Sequence, residues 1–140
     1  MPLISLIEDN ITFVRSLGIP CVSLSTQSDK EDKRGAGIYS SIRNAEYKLV
    51  YLTPEKLVKS PRLLEILKEM YKENLIDRFV VDEVHCVSHW GQDFRKDYLN
   101  LSMIKDHFER VPILGLTATA TIKVKEDITV RLRMKDTLYF

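Results

Sequence analysis

Apolar residues recur along the chain at helical spacing in some stretches and in short continuous runs in others. Leu3, Ile7, Ile11, Val14 and Leu17 follow one another at steps of three and four, which is the spacing of one helix face. The same spacing predicts helices through 38–45, after Pro61, through 94–108 and over 121–132. Short apolar runs predict strands at 20–24, 48–52, 79–81 and 113–116.

Strands therefore alternate with helices from one end of the sequence to the other. This order is typical of an α/β fold, in which a parallel sheet is covered by helices on both faces. We found no internal repeat and no linker, so we expect the 140 residues to form one domain. The polar segment 25–34, with its charge run DKEDKR, is expected to be a solvated loop or helix face.

Composition adds limits rather than a function. Hydrophobic residues make up 44% of the chain, which excludes general disorder, and the net charge of +1 gives no global attraction for nucleic acid. No apolar stretch approaches the roughly 20 residues that span a bilayer. The acidic N-terminal segment is unlike a secretory leader, and Cys21 and Cys86 fit no zinc spacing. We therefore expect an intracellular protein with reduced cysteines.

The most informative polar residues follow the strand 79–81, where Asp82-Glu83-Val84-His85 begins. At the carboxyl end of a parallel strand, Asp82 can hold Mg²⁺ through water and Glu83 can act as a base toward a water that attacks a phosphate. The alternative is that the two acids only cap the next helix.

An aromatic loop follows at Ser88–Arg95, with the sequence SHWGQDFR. Trp90 and Phe94 flank Gly91 in a polar stretch and Arg95 stands beside them, an arrangement that can stack an unpaired base and bind its phosphate. The alternative is that Trp90 anchors the core.

Two further strand ends carry polar residues. Thr53-Pro54-Glu55 has the pattern of a helix N-cap followed by proline, and a helix start can bind phosphate or be an ordinary start. Thr117 to Thr121 reads TATAT, which is either a functional segment or a plain turn and cap.

DEVH, followed by HCVSHWGQDFRKDY and then GLTATAT, resembles the RecQ family of DNA helicases. TPEKL is similar to that family's motif Ib and PLISLIEDN to its motif Ia. The resemblance implies that residues 1–140 are part of a first RecA-like (P-loop NTPase) motor domain, from motif Ia to just past motif III. It also implies ATP and Mg²⁺ as cofactors, no zinc here, DNA (single-stranded and duplex junctions) as partner, 3′ to 5′ unwinding and, in a eukaryote, a nuclear location.

The resemblance also implies roles for individual residues. Asp82 and Glu83 would be the Mg²⁺-binding and catalytic acids, and His85 would link nucleotide state to DNA contact. Other positions implied to bind DNA or to couple it to hydrolysis are Ser5, Thr53, Lys56, His89, Trp90, Phe94, Arg95, Thr117 and Thr119.

The sequence departs from the family pattern in several places. His89 stands where Gln or Glu is usual, Gln92 where His is usual, and Asn10 where Gln is usual. None of the five glycines is followed by lysine, so the phosphate-binding loop G-x-x-x-x-G-K-[ST] is absent from these residues. We therefore expect a fragment that lacks the P-loop strand and the second motor domain, and that is inactive alone.

The family's sheet places a strand between those that precede DEVH and TPEK, and that strand lies upstream of motif Ia. We expect either that these two strands pair directly here, or that the isolated chain is unstable, associated or swapped.

Two other classes of function remain open from the residues. One is a non-catalytic module that binds DNA or a partner through the aromatic loop. The other is a metalloprotein, since His85 and His89 are four residues apart and could chelate zinc from one helix.

Overall fold

The structure is a computed structural model that describes residues 4–24, 35–91 and 93–140. It divides into two compact units, Met1–Leu75 and Ile76–Phe140. Residues 1–3, which include Leu3 of the first predicted helix, the segment 25–34 and Gln92 lie outside the described residues. No helix within the described ranges is long and apolar enough to cross a membrane.

The first unit alternates helices with two strands. Its elements are α1 (Ile4–Ser16), β1 (Cys21–Leu24), α2 (Gly35–Arg43), β2 (Leu49–Leu52), α3 (Pro54–Lys59) and α4 (Pro61–Lys72). Strands β1 and β2 are parallel, with Cys21 opposite Leu49 and Leu24 opposite Leu52. The buried residues of this unit include Ile11, Leu24, Ile42, Leu57, Leu63 and Leu67. The predicted helices and strands of this unit are confirmed to within a few residues.

Two helices of the first unit begin at hydroxyl caps followed by proline. Thr53 accepts a hydrogen bond from the Lys56 backbone N–H, and Ser60 accepts one from the Leu63 N–H. Proline at the first helical position has no N–H to leave unpaired and already has a helical φ. The predicted helix start at Thr53-Pro54 is therefore confirmed, and it gives α3 a fixed first turn directly after β2.

The second unit contains the remaining two strands. Its elements are β3 (Phe79–Val81), a 3₁₀ turn (Val84–Val87), α5 (Lys96–Leu99), a 3₁₀ turn (Asn100–Ser102), α6 (Met103–His107), β4 (Ile113–Gly115) and α7 (Ile122–Arg131). Strands β3 and β4 are parallel, with Phe79 opposite Ile113 and Val81 opposite Gly115. Phe108 is fully buried, and its ring centroid lies 5.2 Å from that of Phe79.

The structure departs from the sequence prediction in two places. The described residues form two two-stranded sheets, β1–β2 and β3–β4, where one sheet was expected. Direct pairing of the strands before TPEK and DEVH, the first of the two expected outcomes, is therefore not observed, and the second, instability or association of the isolated chain, stays a prediction. The helix expected through 94–108 is an α–3₁₀–α run that starts only at Lys96, after the extended Arg95. The central apolar steps, from Tyr98 to Leu101 to Ile104, are three residues long and fit a 3₁₀ turn as well as an α-helix, so the pattern did not separate the two.

Both cysteines are buried and free, as the sequence predicted. Burial, followed by the nearby Asp93 carboxylate, raises the pKa of the Cys86 thiol. Cys86 is therefore a protonated core side chain rather than a thiolate nucleophile.

Candidate functional site

The carboxyl ends of β3 and β4 lie side by side, and two backbone hydrogen bonds extend the pairing of the two chain segments past the ends of the strands. The Leu116 N–H donates to Val81 O at 2.9 Å, and the Val84 N–H donates to Leu116 O at 2.9 Å. These bonds bring DEVH and TATAT, which are more than thirty residues apart in sequence, to one edge of the sheet. A Cβ at Gly115 would lie 3.1 Å from Val84 Cγ1, so the small residue permits this close approach.

Asp82 and Glu83 form the turn that leaves β3. Asp82 Oδ1 accepts the Glu83 N–H at 2.9 Å, and Glu83 has a left-handed backbone with φ of 50°. Such a φ is costly for a residue with a Cβ and is found at sites where the surroundings fix it. Glu83 makes no side-chain capping bond to the 3₁₀ turn that follows, so the interpretation of both acids as helix caps is wrong.

His85 lies between the two motifs. Its Nδ1 is 2.9 Å from Thr117 Oγ1 and 3.3 Å from Glu83 Oε2. Thr117 Oγ1 donates its proton to Thr119 O at 3.0 Å and accepts the Thr119 N–H at 3.2 Å. Both groups that face Nδ1 are then acceptors, so we assign the His85 proton to Nδ1.

The structure therefore brings together five residues of the predicted site. Glu83, His85 and Thr117 are in contact, Thr119 is bonded to Thr117, and Asp82 is bonded to Glu83. All five residues belong to the second unit and lie at one edge of the β3–β4 sheet, so the distances between them are set within that unit.

The aromatic loop carries its tryptophan outward. The Trp90 residue is 62% exposed, so the alternative in which it anchors the core is wrong. The His89 and Phe94 rings stack with their centroids 3.8 Å apart, and Arg95 pairs with Asp93 at 2.6 Å. The hydrogen bond from Arg95 lowers the pKa of the Asp93 carboxyl.

A close approach shapes this loop. A Cβ at Gly91 would lie 2.6 Å from His85 O and 3.2 Å from Ser88 O, so the turn admits only glycine without movement. The Arg95 N–H donates to Cys86 O at 3.0 Å and closes the other side of the loop. The loop is thus fixed to the residues that directly follow the DEVH turn.

His85 and His89 do not have the arrangement that zinc binding from one helix would require. His85 lies in the one-turn 3₁₀ helix Val84–Val87, whereas His89 lies beyond it and stacks on Phe94. The two imidazoles therefore do not share a helix face. The described residues contain no group of three or more His, Cys, Asp and Glu side chains arranged to hold a metal ion.

Three predicted DNA-contact residues belong to the first unit. Thr53 is the α3 cap, and its Oγ1 is used by the Lys56 N–H. Lys56 is only 2% exposed, with its Nζ 5.9 Å from the centroid of the Tyr39 ring, so a DNA contact would require its side chain to move. The side chain of Ser5, like Gln92, lies outside the described residues.

Sequence reasoning assigned no role to Ser88, the first residue of the aromatic loop, or to three residues of α7 near it: Lys123, Asp127 and Arg131. Ser88 Oγ donates to Asp127 Oδ2 at 2.6 Å, and Arg131 Nε donates to Asp127 Oδ1 at 2.8 Å. Burial alone would raise the pKa of Asp127, but the hydrogen bonds from Ser88 and Arg131 outweigh it, so the pKa lies below its usual value. The spacing of four residues between Lys123, Asp127 and Arg131 was visible in the sequence, whereas the contact of Asp127 with Ser88 was not.

Comparison with known proteins gives consistent matches over nearly the whole chain. The model of the family described as DEAD/DEAH box helicase matches residues 1–128. The chain is 41% identical over 137 residues to the ATP-dependent DNA helicase hus2/rqh1 of Schizosaccharomyces pombe, and 44% identical over 135 residues to the RecQ-like DNA helicase BLM of Xenopus laevis. It is 42% identical over 139 residues to the ATP-dependent DNA helicase Q-like 4B of Arabidopsis thaliana.

These alignments cover 98%, 95% and 99% of this chain respectively. The chain spans only 10%, 10% and 12% of the lengths of the same three relatives.

Proposed function

Because the chain belongs to the DEAD/DEAH box helicase family and is similar to RecQ-like DNA helicases along nearly its whole length, we propose that it supplies the residues for ATP hydrolysis and a DNA-stacking loop of an ATP-dependent DNA helicase. The observation that carries the proposal is His85, whose Nδ1 faces both Glu83 and Thr117. The His85 side chain thereby connects Glu83, the acid that would act on water, to Thr117 in the TATAT segment, which would respond to the nucleotide.

The carboxylates fit a magnesium-nucleotide complex. Asp82 is exposed at the strand end, and oxygen ligands are those that Mg²⁺ prefers, often with water between. Mg²⁺, when bound, would neutralise charge on the ATP phosphates. Asp82 is the residue proposed to hold it, through water.

Glu83 is proposed to orient and deprotonate the attacking water. Its side chain is 44% exposed and its backbone N–H is held by the Asp82 side chain, which leaves the acid accessible and its backbone positioned. His85 would transmit a change at Glu83 to Thr117 and Thr119, because a shift of the imidazole alters its bonds to both motifs.

DNA contact is proposed at the aromatic loop. Trp90 offers an exposed indole for stacking on an unpaired base, and Arg95 offers a guanidinium for the phosphate. His89 and Phe94, as a stacked pair, would support the loop. Ser5, Thr53 and Lys56 are proposed to lie along the DNA backbone path in the complete motor.

The whole protein is proposed to need more than these residues. No Gly-Lys pair exists in the sequence, so we propose that the phosphate-binding loop and the second motor domain lie elsewhere in the parent protein, and that these 140 residues alone hydrolyse no ATP. The parent would unwind DNA at single-strand–duplex junctions, with 3′ to 5′ polarity and, in a eukaryote, in the nucleus.

Glu83→Gln in the whole protein tests the assignment. We expect ATP turnover with single-stranded DNA to fall by roughly 10²-fold or more, while nucleotide binding stays within about twofold, because the base is lost but the phosphate contacts remain. The matched control is Glu126→Gln, an exposed carboxylate on α7, which should keep wild-type turnover. DNA-stimulated turnover by the 140-residue chain, abolished by Glu83→Gln, would show that the chain needs no further segment.

A non-catalytic binding module is the second candidate, favoured by the outward position of Trp90 alone. It predicts DNA binding that depends on Trp90 but not on nucleotide. If the whole protein binds single-stranded DNA with equal affinity in the presence and absence of an ATP analogue, and turns over no ATP, this candidate replaces the helicase.

A further inference from the structure

Helix α7 presents three charged side chains at a spacing of four residues. Two of them contact the aromatic loop, and the third forms a hydrogen bond with one of these two. We call Lys123, Asp127 and Arg131 the α7 stripe. Residues four apart lie above one another on a helix surface, so one face of α7 carries the whole set.

The first contact is a hydrogen-bond chain with a defined direction. The Trp90 backbone N–H donates to Ser88 Oγ at 3.1 Å, and Ser88 Oγ donates to Asp127 Oδ2 at 2.6 Å. Ser88 is fully buried, and its single hydroxyl proton goes to the Asp127 carboxylate, so the hydroxyl oxygen is left to accept the Trp90 backbone N–H. Arg131 holds the other carboxylate oxygen at 2.8 Å. Bonds to ionised groups are the stronger kind, so the backbone of Trp90 is fixed to α7.

The second contact is made by the other end of the stripe. Lys123 Nζ lies 3.2 Å from the centroid of the Trp90 ring, within the range of a cation–π contact. The Trp90 residue is nonetheless 62% exposed, so the contact with Lys123 does not bury it. A base stacks on a flat face, and a lysine over one face leaves the opposite face as the one that a base can use.

We propose that α7 positions the aromatic loop for DNA: Asp127, braced by Arg131, fixes the loop backbone through Ser88, and Lys123 covers one face of Trp90 so that an unpaired base stacks on the other. This inference rests on the proposed function, since it names the residues that prepare the stacking surface. Ser88, Lys123 and Asp127 are positioning residues in this scheme, and the ring of Trp90 is the binding group.

The test uses the whole protein with any tryptophan other than Trp90 replaced by phenylalanine, so that indole emission reports on the loop. Within these 140 residues Trp90 is the only tryptophan. The variants are Lys123→Gln, Ser88→Ala and Asp127→Asn. The matched control for the lysine is Lys125→Gln, because Lys125 is also exposed on α7 and also lies over an aromatic ring, that of Tyr139 at 5.5 Å. Glu126→Gln is the control for Asp127.

Lys123→Gln is expected to weaken binding of a single-stranded oligonucleotide by about two- to fivefold relative to Lys125→Gln, the factor that corresponds to an exposed cation–π contact. Acrylamide should quench Trp90 more strongly in this variant, because both faces of the ring become accessible. Ser88→Ala and Asp127→Asn are expected to raise the DNA concentration for half-maximal ATPase stimulation by roughly tenfold, the effect of losing a hydrogen bond to a charged group.

Each outcome has one meaning. If Lys123→Gln binds DNA as Lys125→Gln does, with the same quenching, the positioning role of Lys123 is wrong; tighter binding would show that the lysine competes with the base and would also overturn it. Lys123 is exposed, so its variant stays informative if the Ser88 or Asp127 variants melt early. If the parent itself neither binds single-stranded DNA nor responds to it in ATP turnover, it is the proposed function that fails, independently of the variants.

Discussion

Trp90 and Phe108 are large aromatic residues of the same unit in opposite environments, and that contrast predicts how each responds to truncation. Phe108 is fully buried, whereas Trp90 is 62% exposed. In the whole protein, Trp90→Ala should lower the coupling of DNA binding to ATP turnover, because stacking on a base is worth about 1–3 kcal/mol. The melting temperature should change little. Phe108→Ala should instead cost about 3–5 kcal/mol of stability. A melting temperature that collapses in Trp90→Ala with normal DNA stimulation would contradict the outward role.

Asp127 should contribute to the acid sensitivity of the fold. Its pKa is lowered in the folded state by Ser88 and Arg131, with a smaller effect of His89, against the opposing effect of burial. The stabilisation is present above the unfolded value of about 3.9 and is lost as the pH falls through the lower folded pKa. The free energy of unfolding can be measured by urea titration at each of a series of pH values, from neutral pH down to about pH 3. As the pH falls, it should decline less in Asp127→Asn than in wild type. Parallel declines would contradict the lowered pKa, and Glu126→Gln controls for the loss of one negative charge.

At the scale of the elements, local signals in the sequence predicted most of the structure. Thr53-Pro54 marked the start of α3 because a hydroxyl cap and a proline act within one turn, and Thr121 caps α7 by the same local bond. The break in the 94–108 helix was missed because Tyr98, Leu101 and Ile104 are buried at spacings that both helix types satisfy. The Ser88–Asp127 bond was missed because a contact across 39 residues leaves no periodic signal.

The turn at Gly91 gives a prediction for the aromatic loop as an element. Gly91→Ala should destabilise the protein by about 1–3 kcal/mol, because the new methyl group meets two backbone carbonyl oxygens that cannot rotate away. Gly37→Ala is the matched control. Gly37 lies inside α2, and apart from its chain neighbours and the backbone of its own helix no atom lies within 4 Å of the position that its new methyl group would take, so the exchange should stabilise by about 0.5–1 kcal/mol. Denaturant midpoints of the two variants should therefore move in opposite directions. Equal shifts would contradict the close approach at Gly91.

At the scale of the whole molecule, the sequence predicted the class of the fold but not its sheet. Alternating strands and helices do form an α/β structure with parallel pairs, as expected from the order of the apolar runs. The apolar pattern of a strand specifies which residues are buried and does not specify which neighbour it pairs with. The pairs β1–β2 and β3–β4 therefore had to come from the structure.

The same sheets lead to a prediction about association of the 140-residue chain. Two-stranded sheets are marginal alone, and unpaired strand edges attract further strands. In the second unit Val80 and Leu114 are directly opposite each other across β3 and β4, and they are 52% and 39% exposed. An apolar pair in that position is normally covered in a parallel sheet. We therefore expect the isolated chain to form dimers or larger species whose mass, measured by light scattering after size exclusion, rises with concentration. Val80→Lys should shift the population toward monomer, since a charged residue blocks packing on that face, whereas Lys125→Gln should not. A chain that is monomeric at every concentration and melts cooperatively would contradict this expectation, because the helices alone would then stabilise two separate pairs of strands.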